Sequence, residues 1–215
     1  MRTTTGSTRF ETIFGIGLID QFGAATADVK RPVSLCLPTN KMGEDPAAAA
    51  HAAHLKGYRI KGPHNPPLTN VKVVNQFGTI FVDAFRADRL LVPTTKSLVA
   101  TPPLLPSPVV DHFDCYKSKV TKDTPKFAPI EGLVLEDQFG TQPVVVKKPS
   151  RLCAPVDVDG GDPSAPGHRD HLLCYRIKAP RFTRVSPIFV NNQFGPETLD
   201  AIKPSELCVP SLKNP

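Results

Sequence analysis

Hydrophobic and polar residues alternate in short runs. In Leu172-Leu173-Cys174-Tyr175-Arg176-Ile177-Lys178, Tyr175 and Ile177 share one face of a period-two pattern, while Cys174, Arg176 and Lys178 share the other. Equivalent runs occupy 55–61 and 113–119. A second kind of run is rich in β-branched residues: Val71-Lys72-Val73-Val74, Leu133-Val134-Leu135 and Ile188-Phe189-Val190. A third is typified by Val144-Val145-Val146-Lys147. Each run is bounded by Pro or Gly, so the pattern predicts three strands per unit and no long helix. A short helical turn is expected at Ala47–Ala50, after Pro46.

The runs belong to a repeat. Asp20-Gln21-Phe22-Gly23 returns as Asn75-Gln76-Phe77-Gly78, Asp137-Gln138-Phe139-Gly140 and Asn192-Gln193-Phe194-Gly195. Each copy closes at the same distance with Leu35-Cys36-Leu37-Pro38, Leu90-Leu91-Val92-Pro93, Leu152-Cys153-Ala154-Pro155 or Leu207-Cys208-Val209-Pro210. Four returns in one register define a tandem array. The Asx-Gln-Phe-Gly signature fits a chain reversal. The Asx side chain bonds the backbone, Gly supplies a positive φ, and Phe plugs the core below.

The fold expected is all-β: tandem small β-sheet repeats forming two sandwich- or barrel-like domains. The first would span 1–97 and the second 111–215. Residues 98–110, containing Thr101-Pro102-Pro103-Leu104-Leu105-Pro106-Ser107-Pro108, would be an extended linker. Proline, at 24 of 215 residues, runs at about twice ordinary usage and suits short strands with rigid loops. The first copy lacks its opening strand. Arg2 stands where a Cys-Tyr pair is due, so the numbered chain is expected to begin inside a repeat.

The cysteines follow the repeat. Copies three and four carry Cys115-Tyr116 and Cys174-Tyr175 early, then Cys153 and Cys208 late. The second copy has Gly57-Tyr58 and Leu91, losing both cysteines together. Joint loss predicts bonds Cys115–Cys153 and Cys174–Cys208, rather than the rival Cys153–Cys174. Each such loop contributes about 3–4 kcal/mol through the unfolded state. Cys36 is left unpaired or joined to another chain. Structural disulfides point to an extracellular or cell-surface location, although Met1–Gly6 has no apolar stretch and is not a signal peptide.

Net charge is +6 with the basic residues dispersed, which argues against a nucleic-acid footprint. No run approaches the ~18 apolar residues of a membrane helix. The first strands repeat a basic pair: Arg59 and Lys61, Lys117 and Lys119, Arg176 and Lys178. These could form a stripe for an anionic polysaccharide; the plainer reading is a solvated strand face that resists edge pairing. Asp157, Asp159 and Asp162 resemble half of a calcium loop but lack its distal Glu, so a solvated loop is the plainer reading. His54, His112 and His171 share one repeat position and read as structural; His51 and His168 are a weaker metal or proton site. Tyr58, Tyr116 and Tyr175 read as core residues with a bonded hydroxyl. The chain has no Gly-x-Ser-x-Gly, P-loop or paired-carboxylate signature.

The sequence His171–Lys178, Asn192–Gly195 and Lys203–Pro210 resembles a cysteine-containing repeat of secreted bacterial proteins of myxobacterial type. The resemblance implies export and modular display, and it brings no catalytic residues. The expected function is therefore non-enzymatic: a structural or adhesive repeat protein. Its partners would be other copies of itself, through strand addition into fibres, or cell-surface and matrix polymers. Alternatives are an anionic-polysaccharide module and an accessory domain of a secreted hydrolase. No cofactor is expected, calcium being the weak exception.

Overall fold

The structure, a computed structural model, describes residues 1–4, 9–62, 67–106 and 110–214. After a two-residue strand β1 (Arg2–Thr3), the first copy supplies β2 (Ile13–Asp20), β3 (Gly23–Cys36) and β4 (Asn40–Lys41). The second supplies β5 (His54–Lys61), β6 (Leu68–Asn75) and β7 (Gly78–Ser97). The third supplies β8 (Phe113–Val120), β9 (Ile130–Asp137) and β10 (Gly140–Val158). The fourth supplies β11 (Asp170–Lys178), β12 (Val185–Asn192), β13 (Gly195–Ala201) and β14 (Glu206–Lys213). One 3-10 turn, Ala48–Ala50, falls where the alanine run predicts it, and its counterpart is Ala165–Gly167. The protein is all-β, built on one large antiparallel sheet.

Each copy makes a hairpin around its Asx-Gln-Phe-Gly turn. Asp20, Asn75, Asp137 and Asn192 each accept the backbone N–H two residues on, at 2.7–2.9 Å. The glycine that follows has φ of 128°, 98°, 119° or 94°, a region that disfavours a side chain. Beyond the hairpin the third strand continues into a second role. Its far half joins a central sheet in the order β3-β5-β7-β8-β10-β11-β14, antiparallel throughout. Register shifts in the β3–β5, β7–β8 and β10–β11 ladders mark the passage from hairpin to centre, as bulges do where a strand bends.

The central sheet is curved. Cys36, Leu55, Leu91, Phe113, Cys115, Cys153, Leu172, Cys174 and Cys208 come from all seven strands yet pack into one cluster. Only a sheet curled around that cluster brings them together. Both expected disulfides form there, Cys115–Cys153 and Cys174–Cys208, each between directly opposed residues. In the second copy Leu91 takes the place of one cysteine. A Cβ on Gly57 would lie 2.1 Å from Ser34 Oγ, so Ser34 stands where the other side chain would project.

The expected division at the proline-rich segment is corrected by the ladders. β7 pairs with β8 directly across that segment. Each copy also ends against the second strand of the copy two places away: Asn40 opposite Glu136, Thr95 opposite Asn191, Asp157 opposite Ile19, and Leu212 opposite Val74. The halves 1–97 and 111–215 are thus joined by shared hydrogen-bond ladders. Part of the segment is tied down, since Thr95 Oγ1 donates to Pro103 O and Asn191 Nδ2 to Pro102 O. Residues 107–109 lie outside the described residues.

Tyrosines lock this crosswise arrangement. Tyr116 OH donates to Asp20 Oδ2 at 2.8 Å. Asn75 Nδ2 donates to Tyr175 OH, and Asn192 Nδ2 to Tyr58 OH, both at 3.0 Å. Each bond joins a first strand to the turn of the copy two away. The rings pack edge-on against Phe22, Phe77 and Phe194 with centroids 5.2–5.3 Å apart.

Tyr116→Phe should cost about 1–3 kcal/mol in chemical denaturation, because it orphans a buried acceptor. Burial raises the Asp20 carboxyl, with the Tyr116 hydroxyl opposing that shift. A raised carboxyl contributes stability below its unfolded value, about 4, that is lost as pH climbs through the folded one. Asp20→Asn, which installs the residue found in copies two and four, should flatten that decline. Equal pH slopes for the variant and the native chain would contradict the assignment.

Candidate strand-binding slot

Among the described residues, seven strands make the central sheet where the repeat calls for eight. Copies two, three and four each contribute a first strand and the far half of a third strand. Copy one contributes only the latter, Arg31–Cys36 of β3. This segment has β5 on one side and no ladder on the other among the described residues. Glu206–Pro210 of β14 likewise has β11 on one side only. The two bare edges line one cavity of about 560 Å³, which reaches to Leu172, Ile177 and Ile188.

The residues along these edges show the gap. Leu90 and Leu152 are fully buried, whereas their counterpart Leu35 is half-buried. Cys153 is fully buried, whereas Cys36 and Cys208 are half-buried. Cys36 is the free cysteine. Burial pushes its thiol up to about 11. Such a thiol is a poor nucleophile at neutral pH.

Beneath the slot lies an apolar floor of Ile188, Val190 and Leu199, with Leu35 and Phe139 packed against it. The comparable floor under β5 holds Ile16, Leu18, Ala27 and Val29 with Tyr58, Leu90 and Phe194. Ile188, Val190, Leu199, Leu35 and Phe139 correspond to Ile16, Leu18, Ala27, Leu90 and Phe194, and the partly buried Ala201 corresponds to Val29; the slot lacks the tyrosine. Asp137 and Phe139, the turn residues that would meet it, face the same cavity.

Beside the cavity sits a charged cluster. Arg151 holds Asp88 through Nε (2.8 Å) and Nη2 (3.1 Å) and reaches Glu206 through Nη1. Arg89 Nη1 lies 2.5 Å from the other Glu206 oxygen. Arg89, Arg151 and Glu206 occupy the same place in their copies, two residues before Leu91, Cys153 and Cys208. The arginines hold the Glu206 carboxyl below its usual range against the opposing effect of burial. Their charge is spent internally.

The other candidates are placed as follows. Arg59, Lys61, Lys117, Lys119, Arg176 and Lys178 are all exposed, on β5, β8 and β11. These strands alternate with β7 and β10, so the pairs stand about 10 Å apart across the sheet. Carboxylates interleave: Asp28 lies opposite Lys61, Asp83 opposite Lys119, and Asp88 is 3.7 Å from Lys117. A continuous cationic stripe is not formed.

Asp157, Asp159 and Asp162 do not converge. Asp157 accepts the Asp162 N–H, Asp159 accepts the Gly17 N–H, and Asp162 accepts from Ser164. What does meet is Asp111, Asp162 and His168. There His168 Nδ1 lies 3.0 Å from Asp111 Oδ2, a contact that raises the imidazole above its ordinary value. An exposed ion pair closing a loop accounts for this group.

The repeated histidines are structural. His112 Nε2 meets Gln193 Oε1 at 2.6 Å, and His171 Nε2 meets Gln21 Nε2. His54 is buried, which lowers it to about 4. Lys56, fully buried against Glu197, was not legible as a core residue; burial lowers it to about 8.

Among the described residues, no helix is long and apolar enough to cross a membrane. No protein-family model matches the chain, nor does any curated protein or solved structure.

Alkylation of the unreduced protein followed by peptide mapping should modify Cys36 alone, slowly at neutral pH and faster as pH approaches 11. The other four should react only after reduction. The Cys153 and Cys174 sulfurs lie 3.9 Å apart, so a Cys153–Cys174 bond is the alternative that the map would expose.

Proposed function

We propose that this protein is a non-enzymatic assembly module that holds an extended polypeptide strand in its slot. The role is structural or adhesive, in an exported or cell-surface setting. The observation that carries this reading is the pair of bare edges, β3 and β14, facing one cavity within an otherwise continuous sheet. Unpaired strand edges recruit strands, and addition of a strand satisfies backbone groups on both sides at once. The two disulfides support the setting, since they persist in oxidising compartments.

The rest of the molecule is compatible with a scaffold. Several buried titratable groups are engaged by neighbours from other copies, as in Lys56 with Glu197 and Tyr116 with Asp20, while Asp114 Oδ1 and His54 Nδ1 have no hydrogen-bond partner among the described residues. A polysaccharide-binding role has less support, because carboxylates lie opposite or beside Lys61, Lys117, Lys119 and Arg176, although Arg59 lies between Arg31 and Arg89.

Hydrogen exchange measures the edges directly. Amides in 31–37 and 205–210 that point into the slot should exchange far faster than those of the β8–β10 ladder, and a bound strand should protect them. Exchange at both edges as slow as in β8–β10, without any added strand, would mean that the slot is closed and would contradict the proposal.

A further inference from the structure

The three filled first-strand positions act as a template for the empty one. Each carries His, then Cys or Gly three residues later, then Tyr: His54-Gly57-Tyr58, His112-Cys115-Tyr116 and His171-Cys174-Tyr175. In two copies the cysteine bonds the third strand of its own copy. In all three the tyrosine bonds an Asx side chain and packs edge-on against the phenylalanine two residues beyond it. In two of them the histidine meets the glutamine of the next copy's turn.

The matching receptors for a fourth strand are all present and none holds the partner that its counterparts hold; Lys96 Nζ lies 5.2 Å from the Phe139 ring centroid, as Lys213 Nζ lies 4.5 Å from that of Phe22 in a filled copy. Cys36 is free. Asp137 accepts the Phe139 N–H through Oδ1, and its Oδ2 has no hydrogen-bond partner among the described residues. Phe139 has no tyrosine against it; its aromatic neighbour is Phe182, 6.4 Å away. Gln76 makes no side-chain hydrogen bond among the described residues. These four side chains come from three different copies, yet they line the same cavity.

Resting on the strand-holding role above, we infer that the slot selects an extended segment reading His-x-x-Cys-Tyr, seated antiparallel to β3 and β14 with its cysteine opposite Cys36. The tyrosine hydroxyl donates to Asp137 Oδ2 and its ring rests against the edge of Phe139. The histidine meets Gln76. A second copy of this chain is a poor donor. Its β8 and β11 are tied by their own disulfides, and β5, the untied first strand, carries Gly57 in place of cysteine.

Seating places two cysteines at the spacing that Cys115 and Cys153 adopt, so capture becomes covalent by thiol–disulfide exchange. The partner's cysteine arrives as a mixed disulfide with a low-molecular-weight thiol. The Cys36 thiol gives its proton to water, and its thiolate attacks the partner's sulfur. The mixed S–S bond breaks, a Cys36–partner S–S bond forms, and the small thiol leaves and takes up a proton. Cys36 is oxidised, the small thiol is reduced, and the number of disulfides is unchanged. The weakly acidic Cys36 thiol keeps unseated disulfides slow, and seating, which holds the partner sulfur opposite it, makes the seated strand the favoured reactant.

The test uses the full chain and a synthetic peptide with the sequence of residues 170–178, blocked at both ends and carrying its cysteine as a 2-thiopyridyl disulfide. Release of pyridine-2-thione gives the rate, and peptide mapping gives the site. The expected result is reaction at Cys36 about 100-fold faster than with a scrambled peptide of the same composition. Replacing the peptide's tyrosine by phenylalanine, or Asp137→Ala in the protein, should each slow it about 10-fold, as loss of a hydrogen bond to a charged group does. Asp137→Asn should retain most of the rate, because Asn75 and Asn192 serve that role in their copies. Binding of an alanine-for-cysteine peptide to Cys36→Ser, followed by fluorescence anisotropy, should keep the same tyrosine preference. Equal rates for native-order and scrambled peptides, with protection of 31–37 and 205–210 by both, would overturn the residue code while leaving strand-holding intact. No peptide binding with edges already protected would overturn both. Dimers formed through β5, with Cys36 unreactive toward the peptide, would overturn the His-x-x-Cys-Tyr occupant in favour of β5 of a second copy.

Discussion

A buried hydroxyl reaching an Asx side chain is the contact on which the architecture depends. The turn alone would be satisfied by the Asx bond to its own backbone. The second polar atom of that side chain is left inside the core, where an unpaired group costs about 1–3 kcal/mol. Tyr58, Tyr116 and Tyr175 supply the partner, each from the copy two places away. One short signature thus does two jobs: it reverses the chain and it names the strand that must lie above it. The crosswise ladders at Asn40, Thr95, Asp157 and Leu212 follow from the same registration.

The central cluster is the other half of this design. A repeat of some fifty residues has too little apolar surface to form a core alone. Here every copy sends at least one side chain to a shared centre, and two of them add a covalent tie. Where copy one has no first strand among the described residues, a bounded gap remains, with its floor and walls supplied by the other copies.

Much of this was legible in the chain. The fourfold signature exposed the repeat, joint loss of Cys at Gly57 and Leu91 exposed the disulfide pairing, and the absent Cys-Tyr before Asp20 exposed the missing strand. The partnership between copies was not legible. Nothing in Asp20-Gln21-Phe22-Gly23 says that its mate is Tyr116 rather than a tyrosine nearer in sequence, and so a division at the proline-rich segment looked natural. Lys56 was hidden for a related reason. Asp114 and Leu173 hold the same repeat position, and a lysine there reads as solvent-facing until Glu197 from the fourth copy is seen beside it. Asp137, Phe139 and Gln76 looked like ordinary members of the signature. Their significance lies in what they fail to touch, which only the assembled sheet reveals.

The claim beneath all of this is that copies two places apart are paired by backbone. Long-range Hα–Hα and amide nuclear Overhauser effects in solution address it most directly. The account requires four sets of contacts between 40–41 and 135–136, 95–97 and 189–191, 156–158 and 18–20, and 212–213 and 73–74. Contacts confined within 1–97 and within 111–215, with none of these four sets present, would contradict it.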